Sequence, residues 1–296
     1  MGLFSGRERS GEGWIDELTT LDARRFAIAV RKLADGLAYG IDRSPFVGSG
    51  LEFAQARPYQ EGDSIRSIDW RVTARTGKHF VREYETPKSM PCYLLLDTSA
   101  SMAVSSGTKS KYELALHIAG GIAFAALDRV SPVGVVGVGE RALRIVPSPS
   151  RDRVMQWLLE LRRYRFDERT TLAARIGELT PSLGQRSMVF VLSDLHEPAA
   201  VGAIKRLGQL HDCVVLRLVD PAERSFFGAG LFRAREAETG REFVTHGRAR
   251  WNDAEAISEQ LERAGVDELV IRTDQPFESR LRELLRNREW FGKGTR

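Results

Sequence analysis

Asp97, Ser99 and Ser101 alternate with Thr98 and Ala100 directly after the apolar run Leu94-Leu95-Leu96. In extended backbone, side chains two apart point the same way. These three residues are therefore expected to aim oxygen at one point, just past the carboxyl end of a buried strand. Carboxylate and hydroxyl oxygens suit a hard cation such as Mg2+, which takes a few protein ligands and keeps several waters. Two later segments can add to the set. Thr170 opens a helical pattern in RTTLAARI, and Asp194 directly follows the apolar run SMVFVLS. Asp97, Ser99, Ser101, Thr170 and Asp194 combine two carboxylates with three hydroxyls and contain no nitrogen or sulfur donor. That is a Mg2+ or Mn2+ ligand set, with room for a carboxylate from outside. Each of these residue types is also a good helix cap, Thr170 in particular.

The elements that must position these residues follow from periodicity. Strands are expected at 92–98, 133–138, 187–193, 213–219 and 268–272, with a short antiparallel edge strand at 142–146. Helices are expected at 110–128, 151–163, 171–180, 198–210, 252–264 and 277–288. Near-continuous apolar runs such as Ser187 to Leu192 fit strands covered on both faces. Strand and helix in alternation predict a doubly wound, mostly parallel α/β sheet, in which ligands bind beyond the carboxyl ends of the strands. LFRAREAETGREFVTH reads as an inserted β-hairpin about Thr239-Gly240, spanning roughly 230–246. Upstream, residues 1–12 are Gly, Ser and charge, expected to be disordered, and apolar spacing from Trp14 to Tyr39 predicts a helix. Residues 43–88 read as irregular and β-rich, so 13–90 are taken as a small helical and β module and 91–296 as the α/β domain.

With 296 residues, 42% hydrophobic and 28% charged, the chain has the composition of a soluble globular protein. A net charge of +4 over 44 basic and 40 acidic residues is a mixed, solvated surface and gives no reason to expect nucleic acid. Cys92 and Cys213 each open an apolar run and read as buried, reduced thiols. There is no signal-peptide pattern and no run of about 18 apolar residues to span a bilayer. A cytoplasmic location is the expectation. GVVGVG at 134–139 lies within a strand and opens no phosphate-binding helix. No Gly-x-Ser-x-Gly surrounds Ser99 or Ser193, and His196-Glu197 lacks a second His four residues on. The basic end RLRELLRNREWFGKGTR reads as an amphipathic helix docking through Leu281, Leu284 and Leu285.

The segment RPYQEGDSIRSIDWRVTAR packs Arg57, Tyr59, Glu61, Asp63, Arg66, Asp69, Trp70 and Arg75 into residues 57–75. One reading is a partner-docking surface with Tyr59 and Trp70 as aromatic anchors. The other, preferred here, is a structural network of arginine–aspartate pairs and an Ile68–Trp70 contact.

This segment resembles the signature of the DUF58 family. LLLDTSASM, with Thr170 and Asp194 later, resembles the metal-ion-dependent adhesion site of von Willebrand factor A domains, which DUF58 members carry. The resemblance covers about 45–220. It implies that Asp97, Ser99 and Ser101 fill the first site motif, Thr170 the second and Asp194 the third, around a Mg2+ completed by a partner carboxylate. DUF58 genes commonly neighbour a MoxR-type AAA+ ATPase, which implies such a partner. The chain departs from the pattern where Glu168-Arg169 replace glycines before Thr170, and where Leu195-His196 follow Asp194 in place of glycine. Thr171 is thus an alternative ligand, and His196 is expected to overhang the site as a partner-docking residue. The expected function is a non-enzymatic, cation-dependent protein-interaction module. The alternative is a phosphatase-like hydrolase using the same metal as Lewis acid.

Overall fold

Apolar runs long enough for a single pass through a covered sheet become its strands. The computed structural model describes residues 23–38, 52–85, 90–103, 105–107, 109–141, 143–162, 168–223, 231–235, 242–246 and 254–288. The sheet comprises β3 (Cys92–Leu96), β4 (Val133–Gly137), β5 (Arg144–Ser148), β6 (Met188–Ser193), β7 (Asp212–Val219) and β10 (Asp267–Arg272). Their spatial order is β10-β7-β6-β3-β4-β5. All neighbours are parallel except β5, which pairs antiparallel with β4 at the edge. The chain grows outward from β3 in one direction and then returns to continue from β6 in the other. This is a doubly wound α/β sheet whose strand order reverses between β3 and β6, the place where such sheets form a crevice.

Side chains alternate between two cores. Cys92, Leu94, Leu96, Phe190, Leu192, Val214 and Leu216 face α3 (Lys111–Leu127), α4 (Arg151–Leu161) and α8 (Glu278–Asn287). Tyr93, Leu95, Val189, Val191 and Val215 face α5 (Leu172–Leu179), α6 (Ala200–Leu210) and α7 (Ala254–Arg263). Both cysteines are free and buried within these layers. In α8, Leu281 and Leu285 are buried and Leu284 packs partly buried beside them.

The first described helix, α1 (Ala23–Ala38), was grouped by sequence with the amino-terminal module. It packs instead in the larger of two compact units, where Phe26, Val30, Leu33 and Leu37 join the core of α3 and α8. The reason is α3. KYELALHIAGGIAFAAL is apolar on every side, and a helix of that kind needs cover beyond the sheet. Gly120 and Gly121 let α1 approach closely: a Cβ on Gly120 would lie 2.8 Å from Val30, and one on Gly121 would lie 2.6 Å from Leu33. Trp14 to Asp22, expected at the start of this helix, lie outside the described residues, as do the expected disordered tail 1–12 and Phe46 to Gly50.

The smaller unit contains β1 (Glu52–Pro58), α2 (Trp70–Thr76) and β2 (Phe80–Glu85), with β1 and β2 antiparallel. The helix α2 falls where only irregular, β-rich chain was expected. β8 (Leu231–Arg235) and β9 (Glu242–His246) pair antiparallel from Leu231↔His246 to Arg235↔Glu242, as the inserted hairpin requires, while Thr239 and Gly240 lie outside the described residues. Among the described residues, no helix is long and apolar enough to cross a membrane.

Gly121→Val is expected to push Leu33 off α3 and to cost about 1–3 kcal/mol, the usual range for overpacking a close contact. The urea midpoint reads the loss. An unchanged midpoint would show that α1 does not rest on these glycines.

Candidate metal centre

The site is built from strand register. β3 and β6 are in step through Leu96↔Leu192, so Asp97 and Ser193 come next on adjacent strands. The Asp97 N–H donates to the Leu192 carbonyl at 2.9 Å. Its carboxylate accepts from the Ser193 hydroxyl at 2.5 Å and from the Ser99 N–H at 3.1 Å. Beyond Asp97 the chain does not stay extended, as the alternation had suggested. Ala100–Ala103 form a 3-10 turn, with the Met102 N–H donating to the Ser99 carbonyl. It is the turn that brings the Ser99 and Ser101 hydroxyls to 3.0 Å from each other. Ser101 Oγ then donates to Asp194 Oδ2 at 2.8 Å. Asp97, Ser99, Ser101 and Asp194 thus form one continuous group of oxygens, all buried, at the reversal of strand order.

Two carboxylates buried this close share an electrostatic problem. Burial and the neighbouring Asp194 charge push the Asp97 pKa up to about 7, against the hydrogen bonds from Ser193 and Ser99. Burial acts in the same direction on Asp194, but the Lys111 ammonium, with help from His196 and Ser101, outweighs it and holds Asp194 below the usual carboxylate range.

Lys111 is a site residue that sequence reasoning missed. Ser110 caps α3 through a capping box with Glu113, which sets Lys111 at the first helical position, pointing inward. Its side chain is wholly buried. Nζ donates to Asp194 Oδ2 at 2.6 Å and also to Glu223 Oε1. Burial lowers the lysine's pKa, but the two carboxylates more than reverse this. Glu223 comes from a 3-10 turn, Pro221–Glu223, that follows β7. The sequence signal for Lys111 is slight, a cation opening a helix that has no polar face, and its acidic partners lie far along the chain.

His196 stands at the rim, with Nδ1 3.5 Å from Asp194 Oδ2. Ligand atoms of Asp194, His196 and Glu223 lie within 4.8 Å of one another. Leu195, between Asp194 and His196, has a φ of 57°, a left-handed conformation that suits glycine. Its burial among Val191 and Ala200 offsets the strain, and its N–H is held by Ser193 Oγ at 3.0 Å.

The loop carrying Thr170 backs the Asp97 turn. The Ala100 N–H donates to the Glu168 carbonyl at 3.0 Å, and Thr170 forms an isolated bridge with Gly139. Thr171 stands at the cap position of α5 without capping it; its hydroxyl is given to the Gly139 carbonyl at 2.7 Å. Glu168, expected as a glycine, is buried and accepts the Arg141 N–H at 2.6 Å. The space it needs comes from the opposite loop: a Cβ on Gly139 would lie 2.3 Å from the Glu168 carboxyl carbon and 2.5 Å from Thr98 Oγ1.

The donor set fits a hard cation. Its atoms are carboxylate and hydroxyl oxygens, and Asp97 and Asp194 repel each other where a cation would draw both. Asp97, Ser99, Ser101 and Asp194 are the residues that would hold it, with the expected Thr170 set on the neighbouring loop by its bridge to Gly139.

A family model described as "Protein of unknown function DUF58" matches residues 55–263. The chain belongs to the DUF58 family. Uncharacterized proteins of Mycobacterium bovis and of Mycobacterium tuberculosis are each 25% identical to it over 268 residues, covering 86% of this chain and 84% of each relative.

The DUF58 match takes in the segment 57–75, where the aspartates hold local structure. Arg57 grips Asp63 with two hydrogen bonds of 2.8 Å, closing the Glu61-Gly62 turn, and the Gln60 N–H also donates to Asp63. Asp69 caps α2 through the Arg71 and Val72 N–H groups and pairs with Arg82 at 3.1 Å. Ile68 is buried, whereas Trp70 is 61% exposed. Arg66, Arg75 and Tyr59 are also exposed.

A raised Asp97 pKa has a definite sign. Between the unfolded value, 3.8, and about 7, the native state holds a proton that the unfolded chain has lost, so stability falls as pH rises through that window. In EDTA, wild-type stability is expected to decline from pH 5 to 7 by up to about 1.4 kcal/mol per pH unit relative to Asp97→Asn. Parallel curves for the two proteins would contradict the paired-carboxylate geometry.

Proposed function

We propose that this chain is a protein-interaction module whose binding depends on a divalent cation, Mg2+ or Mn2+, rather than an enzyme. The observation that carries the reading is the convergence of Asp97, Ser99, Ser101 and Asp194 at the reversal of strand order. A cation held there by hydroxyls and carboxylates has coordination positions left over, and a carboxylate of a second protein is the ligand that matches a hard cation. In this reading the α/β domain is von Willebrand factor A-like, with Thr170 as the ligand from the second loop. In that reading, His196, 35% exposed in its side chain, lies where an arriving acidic residue would pass. The partner would be a MoxR-type AAA+ ATPase or a client of that ATPase. The exposed Tyr59, Arg66, Trp70 and Arg75 are a second surface available for docking, whereas Arg57, Asp63 and Asp69 serve the fold of their own unit.

The test is a co-precipitation of the chain with the co-expressed MoxR-type ATPase in Mg2+ and in EDTA. Binding is expected in Mg2+ only, and Asp97→Ala should abolish it while leaving the circular dichroism spectrum unchanged. Binding of equal strength in Mg2+ and EDTA, by wild type and variant alike, would sink the reading. Mg2+-dependent phosphoester turnover lost in Asp97→Ala would replace it with a hydrolase.

A further inference from the structure

Lys111 is a full positive charge buried inside a site read as a cation site, and it holds the same atom that a cation would need. Asp194 Oδ2 accepts the Ser101 hydroxyl at 2.8 Å and the Lys111 ammonium at 2.6 Å. A divalent ion bonded to Ser101 and Asp194 would therefore sit against Nζ. Two positive charges at that separation, unscreened by solvent, repel strongly. We infer that Lys111 is a tethered competitor for Asp194, an internal counter-ion that must give up this carboxylate before a divalent cation can take it. The inference rests on the proposed cation site and concerns how that site is regulated.

The geometry supplies both positions such a competitor requires. Nζ is shared between Asp194 and Glu223, and the lysine stem is flexible enough to swing between neighbouring acceptors. Glu223 stays in place by itself: its second oxygen, Oε2, accepts the Asp220 N–H at 3.2 Å. Asp220 is in turn tied to the Ser106 N–H and the Thr273 hydroxyl, at 3.0 and 3.1 Å. With a cation on Asp194, Glu223 retains the ammonium, and no charge is left buried without a partner. The capping box at Ser110 and Glu113 keeps the lysine backbone where it is throughout. Lys111 also filters the ions that can enter. A monovalent cation offers Asp194 no more charge than the ammonium it would displace, whereas a divalent ion offers twice as much.

Calorimetric titration with Mg2+ alone, together with the Mg2+-induced shift in melting temperature, tests this in four proteins. They are the wild type, Lys111→Gln, Glu223→Gln and the double variant. Lys111→Gln keeps hydrogen-bond donors but removes the charge, and it is expected to bind Mg2+ roughly tenfold tighter or more, as loss of one close like charge implies. Glu223→Gln removes the position to which the ammonium retreats and should weaken Mg2+ binding in the wild-type background. In the Lys111→Gln background the same change should have little effect, because the two residues act as a pair. Mg2+ binding by wild type with equal or weaker binding by Lys111→Gln overturns the assignment of Lys111 and leaves the cation site standing. No Mg2+ binding in any of the four overturns both. If Lys111→Gln does not fold, Glu223→Gln decides alone: weaker Mg2+ binding supports the competitor, and unchanged or tighter binding rejects it.

Discussion

Asp97 and Asp194 are buried side by side at the ends of neighbouring strands, and the architecture around them answers the cost of that burial. A carboxylate taken out of water must be hydrogen-bonded, paired or protonated. Asp97 takes hydrogen bonds from Ser193 and Ser99 and is still pushed up to about 7. Asp194 takes the Ser101 hydroxyl and the Lys111 ammonium and is pulled down. The two acids thus titrate apart although they lie within one residue of register on adjacent strands. A cation between them would relieve Asp97 without a proton, and this is the physical ground for proposing a metal centre here.

The sheet makes this unavoidable. In a parallel pair in register, whatever follows Leu96 lies beside whatever follows Leu192, so Asp97 meets Ser193 and then Asp194. The helices departing from these two strands lie on opposite faces, which leaves their carboxyl ends uncovered by either crossover. α3, apolar all round, is enclosed by the sheet, α4 and α1, and its first residue has nowhere to go but into the site. The lysine at that position thereby becomes part of the acidic cluster. The close approach of α1 at Gly120 and Gly121 and the ion pair of Lys111 are consequences of one deeply buried helix.

Much of this was legible in the sequence, for physical reasons that also explain the rest. Strands covered on both faces are apolar throughout, so runs such as Met188 to Leu192 show themselves without alignment. The hairpin at 231–246 shows itself by alternation. The helix α2 did not, because WRVTART spans two turns, too short for a period, and its start depends on the Asp69 side chain. Periodicity marked the buried face of α1 but could not say what covers it. In the site, Asp97, Ser99, Ser101 and Asp194 converge, but not for the reason the alternation suggested: Ser99 and Ser101 meet through a 3-10 turn, not through extended backbone. Lys111 needed its acids to be visible, and Glu223 follows it by 112 residues. The departures from the glycine pattern have local answers, Gly139 opposite Glu168 and a strained Leu195 held by its own burial. Neither can be read without the fold.

The most direct test of the central claim is crystallographic. Crystals soaked in Mn2+ should give one anomalous peak bonded to the Ser99 and Ser101 hydroxyls, with Asp97 and Asp194 bound directly or through water. A peak elsewhere, or none at this cluster at millimolar Mn2+, would show that the buried acids serve the fold alone.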